Sequence, residues 1–254
     1  MKLEQIKQKL INFIKIQAGD KPVVLGLSGG LDSSVVAYLA VEALGADKVH
    51  TFILPSSTNT TEDLDLAILV AKNLRLTTYN LQLDPILKSY TETLDFELGR
   101  QTLGNLKTRI RMTLLYSKAN EINGLVLGTG NKTEIMTGYF TKHGDGGADL
   151  LPIGDLYKTE ERELAKYIGI PQEIIDRPPT AGLWEGQTDE DELGITYDKL
   201  DKILMAISDQ DRSASGGENN ESLNNFVDTD VKLVQNLIKN SEHKRKPLPI
   251  CVIQ

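Results

Sequence analysis

Apolar residues at three- and four-residue steps, Leu3, Ile6, Leu10, Phe13 and Ile14, predict an amphipathic helix over residues 3–16. The pattern then changes. Four short apolar runs, "VVLGLS" (23–28), "VHTFILP" (49–55), "TTYNLQL" (77–83) and "GLVLGTG" (124–130), read as strands, and helical periodicity fits residues 33–44, 62–74 and about 105–121. Strands alternating with helices predict an α/β fold, an open parallel sheet with helices on both faces. Beyond residue 158 the pattern turns mostly helical, in "TEERELAKYIG", "TYDKLDKILMAI" and "DTDVKLVQNLIKN". The polar stretch "SDQDRSASGGENNES" (208–222) has too little apolar content to pack, and is expected to be a mobile surface loop on one domain spanning residues 1–254.

Composition narrows the function classes. A chain of 254 residues, 40% apolar and 25% charged, fits one soluble globular domain. No segment approaches the length of a membrane span. The start, "MKLEQIKQKLINFIK", interleaves charged and apolar residues and does not read as a secretory signal, so a cytoplasmic protein is expected. The single cysteine, Cys251, gives no disulfide framework, no Cys-x-x-Cys and no zinc cluster. A net charge of -8 opposes a polyanionic partner, so no nucleic acid is expected, and with no span-length segment no membrane either; a phosphate ligand must be bound by local features.

One such feature is "GLSGGLDSS", Gly26 to Ser34, between the first strand and the helix that follows it. A glycine turn there offers free backbone N–H groups and the positive end of a helix dipole to an anion. It lacks the lysine of a Walker A loop. In the plainer reading it is a tight turn in which Asp32 or Ser33 caps the helix. A second stretch, "GTGNKTEIMTGYFTKHGDGGADLLPIGDLYKTEERELA" (128–165), begins at the end of the fourth predicted strand. Ligands of open α/β sheets gather outside the carboxyl ends of strands, so both stretches are expected to face one crevice. There Glu134 either completes a metal site with Asp32 or starts a helix, while Lys142, Asp145 and Asp149 form either a site or a solvated ion-pair network.

The run "SGGLDSS" resembles the pyrophosphate-binding loop of the N-type ATP pyrophosphatases, which cleave ATP between its α- and β-phosphates. The 128–165 stretch, "RPPTAGLWEGQTDEDELGITYDKLDKIL" (177–204) and "SEHKRKP" together are similar to the ammonia-dependent NAD synthetases, over most of the chain. That resemblance implies an adenine nucleotide alpha hydrolase-like fold and amidation of deamido-NAD by ammonia through an adenylated intermediate, yielding NAD, AMP and pyrophosphate. It assigns Gly26, Leu27, Ser28, Gly29, Gly30, Leu31, Asp32 and Ser33 to ATP, with Thr129, Lys158 and Thr180, and gives Mg²⁺ to Asp32 and Glu134. Arg109, Lys142, Asp149, His243 and Lys244 match positions that contact deamido-NAD. Asp145 and Asp149 are the candidates for receiving ammonium, and Lys158 for charge on the phosphates. A homodimer is implied as well. The chain departs from the family at His143, where tyrosine is more familiar, and at Gly130, where another branch has aspartate. Two alternatives stay open at this point: another amidating ATP pyrophosphatase, and a nucleotide-binding module without catalysis.

Overall fold

The computed structural model describes residues 1–184, 186–213 and 223–253, with the backbone alone from 210 to 213. Helix α1 (Leu3–Ala18) precedes strand β1 (Val23–Gly26), α2 (Leu31–Leu44), β2 (Val49–Ile53), α3 (Thr61–Asn73) and β3 (Thr77–Asn80). Helices α4 (Asp84–Thr93) and α5 (Arg100–Glu121) lead to β4 (Leu125–Leu127). All strand pairs are parallel, in the order β3-β2-β1-β4. Val23 of β1 stands beside Val49 on one side and Leu125 on the other.

Alternation along the strands divides the core. Val23, Leu25, Val49, Ile53 and Leu127 pack with α1, α2 and α3 on one face, while Val24, Phe52 and Val126 pack with Ala119 of α5 on the other. The chain builds outward from β1 to β3, then returns past β1 to β4. This reversal puts a topological switch point between β1 and β4, where an open α/β sheet offers a crevice at the carboxyl ends of its strands.

The C-terminal part is helical: α6 (Lys132–Thr137), α7 (Lys158–Ile168), α8 (Gln172–Ile175), α9 (Asp189–Leu193), α10 (Tyr197–Ser213), α11 (Asp228–Asn240) and α12 (Glu242–Arg245). It carries its own core of Leu193, Tyr197, Leu200, Ile203, Leu204 and Val234, against which Met136 and Tyr139 pack. Helix α10 runs through Ser213, so residues 208–213 of the expected loop are helical, and residues 214–222 lie outside the described residues. No helix among the described residues is long and apolar enough to cross a membrane.

The predicted strands end earlier than their apolar runs. Leu27 still bonds the sheet, its amide donating to the Phe52 carbonyl at 2.7 Å, but Gly29 then turns at φ +81° toward the crevice. Helix α4 escapes the periodicity: it opens on Asp-Pro, which reads as a turn, and buries none of its side chains fully.

Candidate active site

The crevice is a cleft of about 610 Å³ lined by the β1–α2 loop, the loop after β2, α5, the segment after β4, and residues 177–184 with Gln187. Of the loop residues assigned to ATP, Gly26, Leu27, Ser28, Gly30, Leu31, Asp32 and Ser33 line it, with Thr129, Glu134, Lys158 and Thr180. Gly29 does not; a Cβ there would lie 2.3 Å from the Asp63 carbonyl oxygen, so its small size serves the packing of the loop on α3. The cap of α2 is Gly30, without a side-chain cap bond, so neither Asp32 nor Ser33 takes the capping role of the plainer reading. Ser33 Oγ instead accepts from the Ser28 amide (3.2 Å) and bonds Ser28 Oγ (3.0 Å), tying the first turn of α2 back to the end of β1.

Lys158 anchors the opposite wall. It is the first residue of α7 and fully buried, so it is not the solvated helix-start lysine that "LYKTEER" alone suggests. Its ammonium pairs with Asp32 and stands 3.6 Å from Glu161. The first amides of α7 need acceptors, and two distant side chains supply them: Thr133 Oγ1 takes the Lys158 amide (3.0 Å) and Asp201 the Thr159 amide (2.8 Å). Thr133 in turn donates to Asp201 at 2.6 Å. Helices α6 and α10 thereby fix where Lys158 enters the cleft.

Asn131 joins the two carboxylates expected at a metal. Its side-chain amide donates to Asp32 (2.8 Å), its backbone amide donates to Glu134 (3.1 Å), and its side-chain oxygen accepts from the Glu134 amide (3.0 Å). Glu134 is thus both a helix-start residue, in a capping box, and a cleft residue. Burial would raise the Asp32 carboxyl, but Lys158 and the bonds it accepts hold it below the ordinary value. Burial and the neighbouring Asp32 push Glu134 well above its ordinary value. Two hard oxygen donors, one disfavoured as an anion for want of positive charge, suit a divalent cation that keeps water and phosphate as its other ligands. No larger His, Cys, Asp or Glu group arranged for a metal occurs among the described residues.

Several participants carry no signal in the sequence reading. Glu161 is fully buried with neither carboxylate oxygen hydrogen-bonded, and burial together with Asp32 raises it well above its ordinary value. Buried Asp189 accepts from the hydroxyls of Tyr139 and Tyr197, each at 3.1 Å, and burial raises it. Arg111 lines the cleft, donating to the Leu54 carbonyl at 3.1 Å, and burial lowers its guanidinium to about 10. Asn131 was detectable, since Asn three residues before Glu is a capping-box signature. Partners of Glu161 and Asp189 lie too far along the chain for spacing to find.

The glycine-rich loop separates its two carboxylates. Asp145 lines the cleft and accepts from the Thr141 amide at 2.8 Å, and the surrounding protein raises its carboxyl. Asp149 is outside the cleft lining; it binds the Val126 amide (2.8 Å) and the Tyr116 hydroxyl (3.2 Å), fastening its loop to β4. Arg109, Lys142, His243 and Lys244 gather at one rim. Arg109 Nε donates to the Lys142 carbonyl (3.3 Å), Lys142 Nζ to the His243 carbonyl (2.8 Å), and Lys244 Nζ to the carbonyls of Gly138 (2.7 Å) and Phe140 (2.6 Å). Of these four, Lys244 reaches the cleft.

The family model described as NAD synthase matches residues 3–248. The chain is similar to the NH(3)-dependent NAD(+) synthetase of Pyrococcus furiosus, 47% identical over 250 residues, 98% of this chain and 95% of that protein. Among solved structures it resembles NMN synthetase from Francisella tularensis, with 34% identity and a TM-score of 0.86 over 100% of both chains. It also resembles the NH3-dependent NAD synthetase from Campylobacter jejuni in complex with the nitrate ion, with 29% identity, a TM-score of 0.83, and coverage of 99% of this chain and 100% of that one.

Proposed function

The chain belongs to the NAD synthase family, and from that premise we propose how its residues divide the work. The enzyme is a ligase forming a carbon–nitrogen bond: it amidates deamido-NAD with ammonia in an ATP-dependent reaction. A carboxylate is a poor acyl electrophile until a good leaving group is attached. In the first step a nicotinate oxygen attacks the α-phosphorus of ATP, and the bond to the β,γ-pyrophosphate breaks. The first-turn amides of α2 and the hydroxyls of Ser28 and Ser33 receive the departing pyrophosphate, with the Lys158 ammonium beside them. Asp32 and Glu134 would hold Mg²⁺, whose charge would neutralise that leaving group. Ammonia then adds to the acyl carbon and AMP leaves with the bridging oxygen.

Ammonia at neutral pH is mostly ammonium, and the attacking species is the free base. Asp145 is the carboxylate suited to take the extra proton: it faces the cleft and its raised carboxyl makes it a stronger base than an ordinary aspartate. Asp149 serves instead to hold its loop on β4. Arg109, Lys142, His243 and Lys244 contact the dinucleotide beyond its nicotinate end, and a homodimer, with a second copy covering that rim, belongs to the same reading. A cytoplasmic setting accords with an ATP-consuming reaction and with a lone, exposed Cys251. The observation that carries the assignment is the juxtaposition of the β1–α2 loop with Asp32, Lys158 and Glu134 at the switch-point crevice.

Incubation with ATP, Mg²⁺, deamido-NAD and ammonium tests it, with nicotinate mononucleotide as the competing acceptor. The expected products are NAD, AMP and pyrophosphate, with one heavy oxygen passing from a labelled nicotinate carboxylate into AMP. Formation of ADP and phosphate, or unlabelled AMP, refutes the mechanism; a preference for the mononucleotide refutes the acceptor. Glutamine in place of ammonium should support no turnover, because thioester chemistry needs a nucleophilic cysteine with a catalytic base. Glutamine-driven synthesis abolished by Cys251→Ser would overturn that expectation.

A further inference from the structure

Helix α5 buries a lysine that the reaction above does not use. Lys107 is 3% exposed, and its ammonium donates to Thr58 Oγ1 and to the Leu183 carbonyl, both at 3.1 Å. These two acceptors belong to different walls of the cleft. Thr58 lies in the loop after β2, next to the cleft residue Asn59, and its hydroxyl also donates to the Gly182 carbonyl at 3.3 Å. Leu183 belongs to the 177–184 segment, which carries Thr180. That segment is seated on α5 by contact as well: Leu183 and Trp184 crowd Gly104, where a Cβ would come within 3.1 Å of Leu183, and the Arg100 guanidinium stands 4.9 Å above the Trp184 ring.

Among the described residues the ammonium makes no salt bridge, and Asp84 acts on it only at longer range. Among the described residues no carboxylate lies within 4.0 Å of Lys107 or of Arg111, one turn further along α5. Burial lowers both below their ordinary values. A buried cation without a carboxylate is unfavourable for folding, and methionine would fill the same space without that cost. The arrangement makes sense if the charge acts on something that arrives with negative charge, and if two hydrogen bonds to separate loops matter when it does.

We propose that Lys107 is a positioning residue for ATP: its ammonium clasps the loop after β2 to the 180–184 segment, fixing the spacing of the two walls between which the nucleotide binds. The assignment rests on the reading of the cleft as an ATP site. Lys107 does not line the cleft and acts through Thr58 and Leu183.

Lys107→Met tests it. The expected result is a melting temperature equal to or above that of the parent, an ATP affinity weakened about tenfold by calorimetry without deamido-NAD, and KM for ATP raised in parallel. The turnover number and KM for deamido-NAD should stay within about threefold. Thr58→Val removes one acceptor while keeping the charge, and should weaken ATP about threefold. A lower melting temperature and lower turnover with unchanged ATP affinity would make Lys107 merely structural, and an ATP affinity within about twofold of the parent overturns the clasp. Should Lys107→Met not fold, unchanged affinity in Thr58→Val overturns it equally. A parent that binds ATP but makes no NAD refutes the proposed reaction and leaves the clasp to be judged by its ATP isotherms.

Discussion

Gly29→Ala separates two explanations of the glycines in the phosphate loop. If Gly29 exists to let a ligand approach, the added methyl should harm turnover and leave the unliganded protein unharmed. The structure gives the opposite assignment. At φ +81° the residue sits where a side chain costs about 1–2 kcal/mol. The new Cβ would fall 2.3 Å from the Asp63 carbonyl and 3.2 Å from the Ala67 amide nitrogen, both backbone atoms of α3 that no rotamer change can clear. Forcing the helix aside is overpacking, about 1–3 kcal/mol more, for a total of roughly 2–5 kcal/mol. In a domain of this size that predicts a fall in melting temperature of about 4–20 °C, read by circular dichroism without ATP. Gly30→Ala is the control: its φ is -86°, and the added Cβ meets the rotatable Ser28 Oγ at 3.3 Å. It should cost less than about 1 kcal/mol while impairing ATP turnover, because Gly30 lines the cleft. A Gly29→Ala protein melting within about 2 °C of the parent would refute the packing argument.

Glu134→Gln should lower turnover by about 10² or more with little loss of stability, since glutamine keeps an acceptor for the Asn131 amide but loses the anionic charge toward the metal. Asp32→Asn should lose turnover similarly and stability as well, because Lys158 then keeps Glu161 as its one carboxylate neighbour in the ion-pair network; equal melting of the two variants would count against the Asp32–Lys158 pairing. Burial and the neighbouring Asp32 raise the Glu161 carboxyl well above its ordinary value, so it favours the fold at low pH and loses that advantage as pH rises toward its raised folded value. Glu161→Gln should therefore gain on the parent in urea unfolding at pH 8 relative to pH 5, and a gain confined to pH 5 would reverse the sign of the argument.

What the sequence disclosed depended on how locally each feature is encoded. The periodicity of Leu3 to Ile14 and the apolar runs at 23, 49, 77 and 124 correspond to α1 and to all four strands, because burial on a sheet or a helix face is a nearest-neighbour property of the chain. The glycine turn between β1 and α2 was equally legible, since strand, turn and helix start are contiguous. Strand order was not, as β4 joins β1 across the whole stretch from residue 27 to 124. The same holds within the site. Asp145 and Asp149, four residues apart in one glycine-rich loop, looked equivalent, and they differ because one faces the cleft while the other caps the edge of β4.

Which features are local follows from what each part of the molecule does. The sheet delivers the β1–α2 glycine loop and two carboxylates to one edge, which local chemistry can encode. It does not deliver Lys158 with a defined direction. That depends on Thr133 and Asp201, which take up the first amides of α7 from two other helices, and on Asp189 and Tyr197, whose ring lies 5.8 Å from the ammonium. Each of these polar groups is buried and stable because another distant group completes its hydrogen bonds. The helical C-terminal part is therefore more than a cover over one end of the sheet. Its separate core of Leu193, Tyr197, Leu200 and Val234 carries the helices that place a buried lysine in contact with Asp32 and near Glu161 and Glu134.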